Sequence, residues 1–196
     1  MPLKSRLGRV SKTMTTKLVP VGSRCDIFER YRETPIADLL AFHNLGTPYR
    51  HYTRPQLLVG MCMDHRKRLR IPQNFAFVLR SAGANFRGLE FQISFAIAVG
   101  GVRVVCLVGH NECGMVGLAL QRESFVDGLM ENAGWRRDAA EKHFDALAGR
   151  FEIGDAAEFV LSEAERLRRQ YPAVLVAPLL YSVGDGVLCQ IESACG

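Results

Sequence analysis

The 196-residue sequence has no long hydrophobic run. Its longest uncharged apolar stretch, residues 93–102, is far shorter than the roughly 20 residues that a helix needs to cross a bilayer, so we expect no membrane span. The first 24 residues lack acidic side chains but contain six basic ones, and they are too polar for a secretory signal peptide. Hydrophobic residues make up 48% and charged residues 23% of the chain, which is typical of a globular protein and excludes disordered and fibrous classes.

The signature motifs of several common functional classes are also missing. The sequence contains no P-loop, no G-x-G-x-x-G dinucleotide fingerprint and no nucleophile elbow of a serine hydrolase. The net charge of +5 comes from the N-terminal segment, because the rest of the chain carries 19 basic and 20 acidic residues. Without interleaved aromatic residues or a known recognition motif, we expect no nucleic-acid partner.

The N-terminal segment differs from the rest of the chain in composition. Residues 1–30 are predicted to form a basic arm that is flexible or wraps a partner subunit, and residues 31–196 a single domain, as the chain length suggests. The arm is rich in Arg, Ser and Thr, which is also the bias of a transit peptide. The lack of a secretory signal peptide predicts a cytoplasmic protein, and targeting to an organelle or microcompartment by the arm is the alternative.

Short apolar runs alternate along the chain with patterns of helical spacing. Buried strands are predicted at 57–62, 75–79, 102–108 and 174–180. Helices are predicted at 36–42, at 88–99, from about Gly114 onward, at 135–148 and at 155–170. A turn at 184–186 predicts a hairpin with a last strand at 187–191. This order predicts an α/β fold with a mostly parallel central sheet, helices on both faces, a C-terminal hairpin strand and an N-terminal arm and helix.

The six cysteines do not suggest a disulfide framework, because such frameworks belong to short secreted chains. Cys106 and Cys189 lie within apolar strand patterns and are predicted to be small core residues. Two other cysteines lie near the ends of the chain. This leaves Cys62 and Cys113, each of which follows a predicted strand, as candidates for chemistry.

Reactive side chains cluster after two of the predicted strands. Cys62, Asp64 and Arg66 follow one strand, and His110 and Cys113 follow another. Because ligands collect at the carboxyl ends of parallel strands, we expect these residues to meet there. Two thiolates and an imidazole are suitable zinc ligands, and three protein ligands with an open fourth position are typical of catalytic zinc.

The position of Asp64 allows two roles. It either takes the fourth position on the metal or accepts a hydrogen bond from metal-bound water, and Arg66 is spaced to pair with it and keep it ionised. Two further interpretations of the cluster stay open at this point. One is a buried structural cysteine pair, and the other is a thiol nucleophile with His110 as its base.

The motifs Cys62-x-Asp64-x-Arg66 and His110-x-x-Cys113-Gly114 resemble those of the β-class carbonic anhydrases. The segments 80–85 and 180–186 are similar to that family's Arg-Asn-Ala-Gly-Asn and Tyr-Asp-x-x-x-Gly segments, so the resemblance covers roughly residues 35–192. It implies an enzyme with one Zn²⁺ per subunit that reversibly hydrates carbon dioxide to bicarbonate. It also implies an obligate homodimer or a higher homo-oligomer.

The resemblance assigns a role to each residue of the two motifs. It implies that Cys62, His110 and Cys113 hold the zinc ion. Asp64, a possible fourth ligand in a closed state, and Arg66 are the expected catalytic pair, which orients zinc-bound hydroxide. Gly114 is expected to offer its backbone N–H to the substrate or product at a helix N-terminus.

The sequence departs from the family pattern around the expected substrate pocket. His65 stands where Ser is usual, and Ser81, Thr53 and Ser182 also replace the residues typical of the family. None of these departures removes a metal ligand. They leave two alternatives for the function: a carbonyl sulfide or carbon disulfide hydrolase that uses the same zinc site, and a non-catalytic zinc-binding assembly protein.

Overall fold

A computed structural model describes residues 16–193 of the chain, so residues 1–15 of the predicted arm lie outside the described range. Six strands form one sheet: β1 (Thr16–Pro20), β2 (Leu57–Cys62), β3 (Ala76–Ser81), β4 (Val104–His110), β5 (Leu175–Tyr181) and β6 (Leu188–Ser193). Five α-helices lie within residues 16–193: α1 (Pro35–Asn44), α2 (Glu90–Ala98), α3 (Arg122–Ala133), α4 (Arg137–Phe151) and α5 (Ala156–Gln170). Among these described helices, none is long and apolar enough to cross a bilayer.

The strands follow the order β1-β6-β5-β4-β2-β3 across the sheet. Strands β2, β3, β4 and β5 are parallel, β6 runs antiparallel to β5, and β1 runs antiparallel to β6. The predicted α/β fold with a mostly parallel sheet and a C-terminal hairpin is therefore confirmed. Strand β1 was not predicted, because its five residues carry a Lys and end on Pro, a composition suited to a sheet edge rather than to a core.

The two central strands, β2 and β4, are buried along their whole length because helices cover both faces of the sheet. Alternate residues point to opposite faces, so Leu58 packs with α2 and α5 whereas Val59 packs with α1. Cys106 is fully buried among the residues that face α1, as predicted. Cys189 is only half-buried, since β6 lies next to the edge strand β1.

Strand β3 differs from its prediction as a strand buried on both faces. It forms an edge of the sheet, and Val78 near its middle is 45% exposed. Its apolar residues match the pattern of a central strand, but the described part of the chain supplies no neighbour on its outer side.

The helix predicted from about Gly114 begins later than expected. The chain after Cys113 forms turns, Gly117 adopts a left-handed conformation with φ of 65°, and a 3₁₀ turn follows before α3 starts at Arg122. The left-handed residue interrupts any continuous helix from Gly114. That prediction was wrong. The helix predicted at 155–170 is confirmed as α5, and the Asp155 carboxylate caps it by accepting hydrogen bonds from the backbone N–H groups of Ala157 and Glu158.

The described part of the predicted arm packs against its own chain. Gln190 is fully buried in β6, where it accepts a hydrogen bond from the Phe28 N–H at 2.8 Å and donates one to the Asp26 carbonyl at 3.0 Å. These two bonds fix the segment that leads from β1 to α1. The wrapping of a partner subunit by the arm stays a prediction.

We expect Gly60→Ala in β2 to lower the free energy of unfolding by about 1–3 kcal/mol, because a new Cβ would lie 2.7 Å from the buried Phe86 ring. Gly149→Ala in α4 is the control. Its Cβ meets no atom within 4 Å, so it should raise stability by about 0.5–1 kcal/mol. Urea unfolding of both variants measures the difference, and equal midpoints would contradict the tight packing between β2 and Phe86.

Candidate metal centre

Two cysteines and a histidine meet at the carboxyl ends of the neighbouring strands β2 and β4. Cys62 is the last residue of β2, His110 is the last residue of β4, and Cys113 lies in the turn that follows. Their ligand atoms all lie within 4.8 Å of one another. The three residues are 4%, 1% and 6% exposed, so the cluster is shielded from solvent within one chain.

The hydrogen bonds of His110 leave one ring nitrogen free for a metal. Its Nδ1–H donates to the Asn111 carbonyl oxygen at 2.7 Å. Its Nε2 is buried and has no hydrogen-bond partner among the described residues. A buried nitrogen without a partner is costly in a protein, and a metal ion satisfies it. The orphaned nitrogen beside two sulfur atoms therefore fits a zinc ion.

The two thiols interact strongly with each other. A hydrogen bond between them lowers the pKa of Cys62 and raises the pKa of Cys113. The pKa of Cys62 is lowered further by the neighbouring His110 ring and by the backbone N–H of Asp64. A thiolate is the form that binds a metal, so this arrangement favours metal binding.

The carboxylate of Asp64 lies next to the cluster and is held by Arg66. The Arg66 Nη2 atom is 2.8 Å from Asp64 Oδ2, and Arg66 Nε lies 3.1 Å from Oδ1. This guanidinium holds the pKa of Asp64 well below its usual range. Asp64 Oδ2 is 3.9 Å from His110 Nε2. An ionised and oriented carboxylate therefore faces the position where a metal would sit.

A second carboxylate, that of Glu112, contacts Arg66 and was not expected from the sequence. Arg66 Nη1 is 3.1 Å from Glu112 Oε2, and Arg66 Nη2 donates to the Glu112 carbonyl at 2.9 Å. Glu112 has a φ of 55°, which is rare for a residue with a side chain. Arg66 therefore joins the loop after β2 to the loop after β4. The spacing of the His-x-x-Cys motif gives no signal of this contact.

A second arginine organises the loop after β2. The guanidinium of Arg80, on the edge strand β3, donates to the carbonyl groups of Cys62, Asp64 and Lys67 at 3.2–3.3 Å. Three carbonyl groups thus bind one guanidinium group, two through Nη1 and one through Nη2, which fixes the path of the chain that carries Cys62 and Asp64. Arg80 lies in the segment 80–85, whose sequence resembles the family but does not predict these contacts.

Gly114, the predicted substrate-binding residue, lies in a turn rather than at a helix N-terminus. Its carbonyl accepts a hydrogen bond from Gln121 Nε2 at 2.6 Å.

A cleft of about 510 Å³ opens beside the side chains of Cys62, His110 and Cys113. Its lining residues are His110, Asn111, Glu112, Cys113, Val116, Gly154, Asp155 and Ala156.

His43 connects the loop after β2 to the β5–β6 hairpin. Its Nδ1 accepts the Arg70 N–H at 3.1 Å, so its Nε2 carries the proton and donates to the Gly186 carbonyl at 2.9 Å. Burial and the nearby positive charge of Arg70 lower the pKa of His43, although the bond to Gly186 opposes them. His43 lies in α1 and is buried.

The carbonic anhydrase family profile matches residues 59–180, a range that includes both motifs and the Cys62, His110 and Cys113 cluster. No curated protein sequence matches the chain. Several solved structures share its fold. The β-carbonic anhydrase isoform I from Trichomonas vaginalis is 18% identical, with 78% of this chain and 91% of the other covered and a TM-score of 0.56.

Two other structures extend this comparison. The carbonic anhydrase from Glaciozyma antarctica is 19% identical, covers 81% of this chain and 96% of its own, and has a TM-score of 0.56. The apo form of a carbon disulfide hydrolase is also 19% identical. The match covers 78% of this chain and 84% of the hydrolase, with a TM-score of 0.51. At these identities the likeness concerns the fold alone.

We expect the stability of the protein to fall as the pH drops below about 6.5, in part through His43. The folded state lowers the pKa of this ring, so the unfolded state takes up a proton first. The stabilisation is present above the unfolded pKa and is lost as the pH falls towards the folded one. His43→Gln, which cannot be protonated, should reduce the slope of unfolding free energy against pH between 5 and 7.

The exposed His51 offers a matched control, since His51→Gln should keep the wild-type slope. Urea unfolding at a series of pH values measures both. A slope in His43→Gln as steep as that of the wild type would contradict the assigned protonation of this ring.

Proposed function

Because the chain belongs to the β-class carbonic anhydrase family, we propose that it is a zinc enzyme that reversibly hydrates carbon dioxide to bicarbonate. The observation that carries this proposal is the buried cluster of Cys62, His110 and Cys113 with the unpartnered Nε2 of His110. These three residues would hold one Zn²⁺ per subunit and leave a fourth position for a reactant. When bound, zinc would lower the pKa of a water molecule enough to make it a nucleophile near neutral pH.

The carboxylate of Asp64 would act as the hydrogen-bond acceptor for the reacting water. Two thiolates cancel the charge of zinc, so a water molecule is acidified less than at a site of three neutral imidazoles. Asp64 compensates by accepting a hydrogen bond from the reacting water through Oδ2, the oxygen nearest to His110 Nε2. Arg66 keeps this carboxylate ionised and oriented.

The same carboxylate is the candidate for a closed state in which Asp64 itself is the fourth zinc ligand. The contacts of Arg66 support this alternative, because Glu112 would remain bound to Arg66 if Asp64 turned away from it. The role of the Gly114 N–H as a donor to bicarbonate also stays a proposal. Hydrolysis of carbonyl sulfide or carbon disulfide is the alternative activity, since a carbon disulfide hydrolase shares this fold.

A second copy of the chain is the proposed partner of an exposed apolar face formed by α2 and β3. We call this the α2–β3 face, and it consists of Val78, Phe91, Phe95 and Val99, which are 45%, 79%, 49% and 69% exposed. Exposed apolar residues beside an open strand edge are typical of a protein interface. The family resemblance favours a homodimer over other partners. Cytoplasmic location stays a prediction from composition.

We expect the Asp64→Ala variant to retain zinc but to hydrate carbon dioxide at least about 100-fold more slowly, because the reacting water loses its hydrogen-bond acceptor. Asp138→Asn, an exposed change on α4, is the control and should keep the wild-type rate. Metal content and the hydration rate are measured together under reducing conditions, which prevents oxidation of the two thiols.

The outcomes of this experiment separate the alternatives. An Asp64→Ala protein that keeps both zinc and the full rate would contradict the role of Asp64. Release of sulfide from carbonyl sulfide or carbon disulfide without carbon dioxide hydration would identify the alternative hydrolase. Stoichiometric zinc with no turnover of any of these substrates would indicate an assembly protein.

We expect Phe91→Glu to shift the protein from a dimer towards a monomer, because it buries a charge in the proposed interface. Phe91→Leu keeps an apolar side chain and should remain dimeric. Light scattering coupled to gel filtration gives the mass of each variant. A wild-type monomer, or a Phe91→Glu dimer as stable as the wild type, would show that this face is not the interface.

A further inference from the structure

Lys67 is a buried lysine that the proposed mechanism does not use. Lys67 is 1% exposed, and its Nζ atom has no hydrogen-bond partner in the described part of the chain. A buried ammonium group without hydrogen bonds is costly unless opposite charges lie nearby. The position of Lys67 directly after the Cys62-x-Asp64-x-Arg66 motif suggests where those charges are.

The charges around Lys67 belong to the candidate metal centre. Cys62, Asp64 and Cys113 attract its ammonium group, and Arg80 repels it. Burial lowers the pKa of Lys67, and the three anionic groups act in the opposite direction. Among the described residues, no carboxylate pairs with Lys67 directly, as Asp64 does with Arg66.

Once zinc is bound, the charge balance around Lys67 changes. The two thiolates of Cys62 and Cys113 would cancel the charge of the ion. The two carboxylates of Asp64 and Glu112 are matched by the two guanidinium groups of Arg66 and Arg80. The ammonium group of Lys67 is then left as surplus positive charge in a buried region. Such a charge favours an anion at the centre, because electrostatic attraction is stronger away from bulk water.

We propose that Lys67 is a positioning residue whose fixed positive charge draws a small monovalent anion, such as the bicarbonate product, to the metal centre. This inference rests on the proposed zinc site. It concerns Lys67, which is not itself one of the proposed metal ligands. It also explains why a charged residue occupies a position that is otherwise suited to an apolar one.

A purely structural role for the Lys67 side chain is less consistent with the contacts. The loop is held at this point through the Lys67 carbonyl, which accepts a hydrogen bond from Arg80 Nη2 at 3.2 Å. The side chain itself donates no hydrogen bond within residues 16–193. Replacing the side chain with an apolar one of similar length therefore leaves the backbone contact in place.

The test uses the full-length protein loaded with Co²⁺ in place of zinc, with thiocyanate as the anion. The visible absorption of cobalt reports binding of the anion directly, without a measurement of turnover. We expect Lys67→Met to raise the Kd for thiocyanate about tenfold, as the loss of one nearby unit charge predicts. Its zinc affinity, measured by competition with a chelator, should equal that of the wild type or exceed it.

Two variants serve as controls for this experiment. Lys67→Arg keeps the positive charge and should bind thiocyanate within about threefold of the wild type. Lys142→Met removes a lysine from the exposed side of α4 and should change neither affinity. If methionine is not tolerated at position 67, Lys67→Gln is neutral and carries the same expectation.

Each outcome decides one of the two proposals. A wild-type protein that binds neither cobalt nor zinc would overturn the proposed metal site itself. A metal-loaded neutral variant with unchanged thiocyanate affinity would overturn the role of Lys67. A parallel loss of zinc and thiocyanate affinity would also overturn it, since that result indicates a structural role for the side chain.

Discussion

The candidate metal centre depends on one constraint, the pairing of β2 with β4 as parallel strands in the centre of the sheet. Their register places Met61 opposite Val108, so the two strands end at the same edge of the sheet and nearly at the same level along the strand direction. Cys62 and His110 come at these two ends. A shift of either strand by one residue would exchange the side chains that pack against α1 with those that pack against α2 and α5, and this fixes the register. The hydrophobic core thus positions the candidate metal ligands.

Two arginines hold the loops that follow β2 and β4 in fixed positions around the site. Arg80 fixes the loop after β2 through three carbonyl groups, and Arg66 ties that loop to the one after β4. The guanidinium groups do so from outside the cluster, so the sulfur and imidazole ligands remain free. His43 attaches the far end of the same loop to the β5–β6 hairpin. The site is therefore held by polar contacts between loops that are far apart in sequence.

Much of the fold could be predicted from the sequence, because apolar runs and helical spacing are local signals. The central strands, α5 with its Asp155 cap and the C-terminal hairpin all follow from such patterns. The edge position of β3 could not be predicted, since its composition matches that of a buried strand and only its neighbours distinguish the two. The delayed start of α3 depends on the backbone conformation of Gly117, which composition does not reveal.

The same distinction applies to the candidate site. The spacing of Cys62, His110 and Cys113 indicated the donor set, but no pattern indicated the contact of Arg66 with Glu112 or the burial of Lys67. X-ray absorption at the zinc edge of the purified protein tests the central claim most directly. The account predicts two sulfur neighbours at about 2.3 Å and nitrogen or oxygen neighbours at about 2.0 Å. A zinc spectrum without sulfur neighbours, or a folded protein without zinc after reconstitution under reducing conditions, would contradict it.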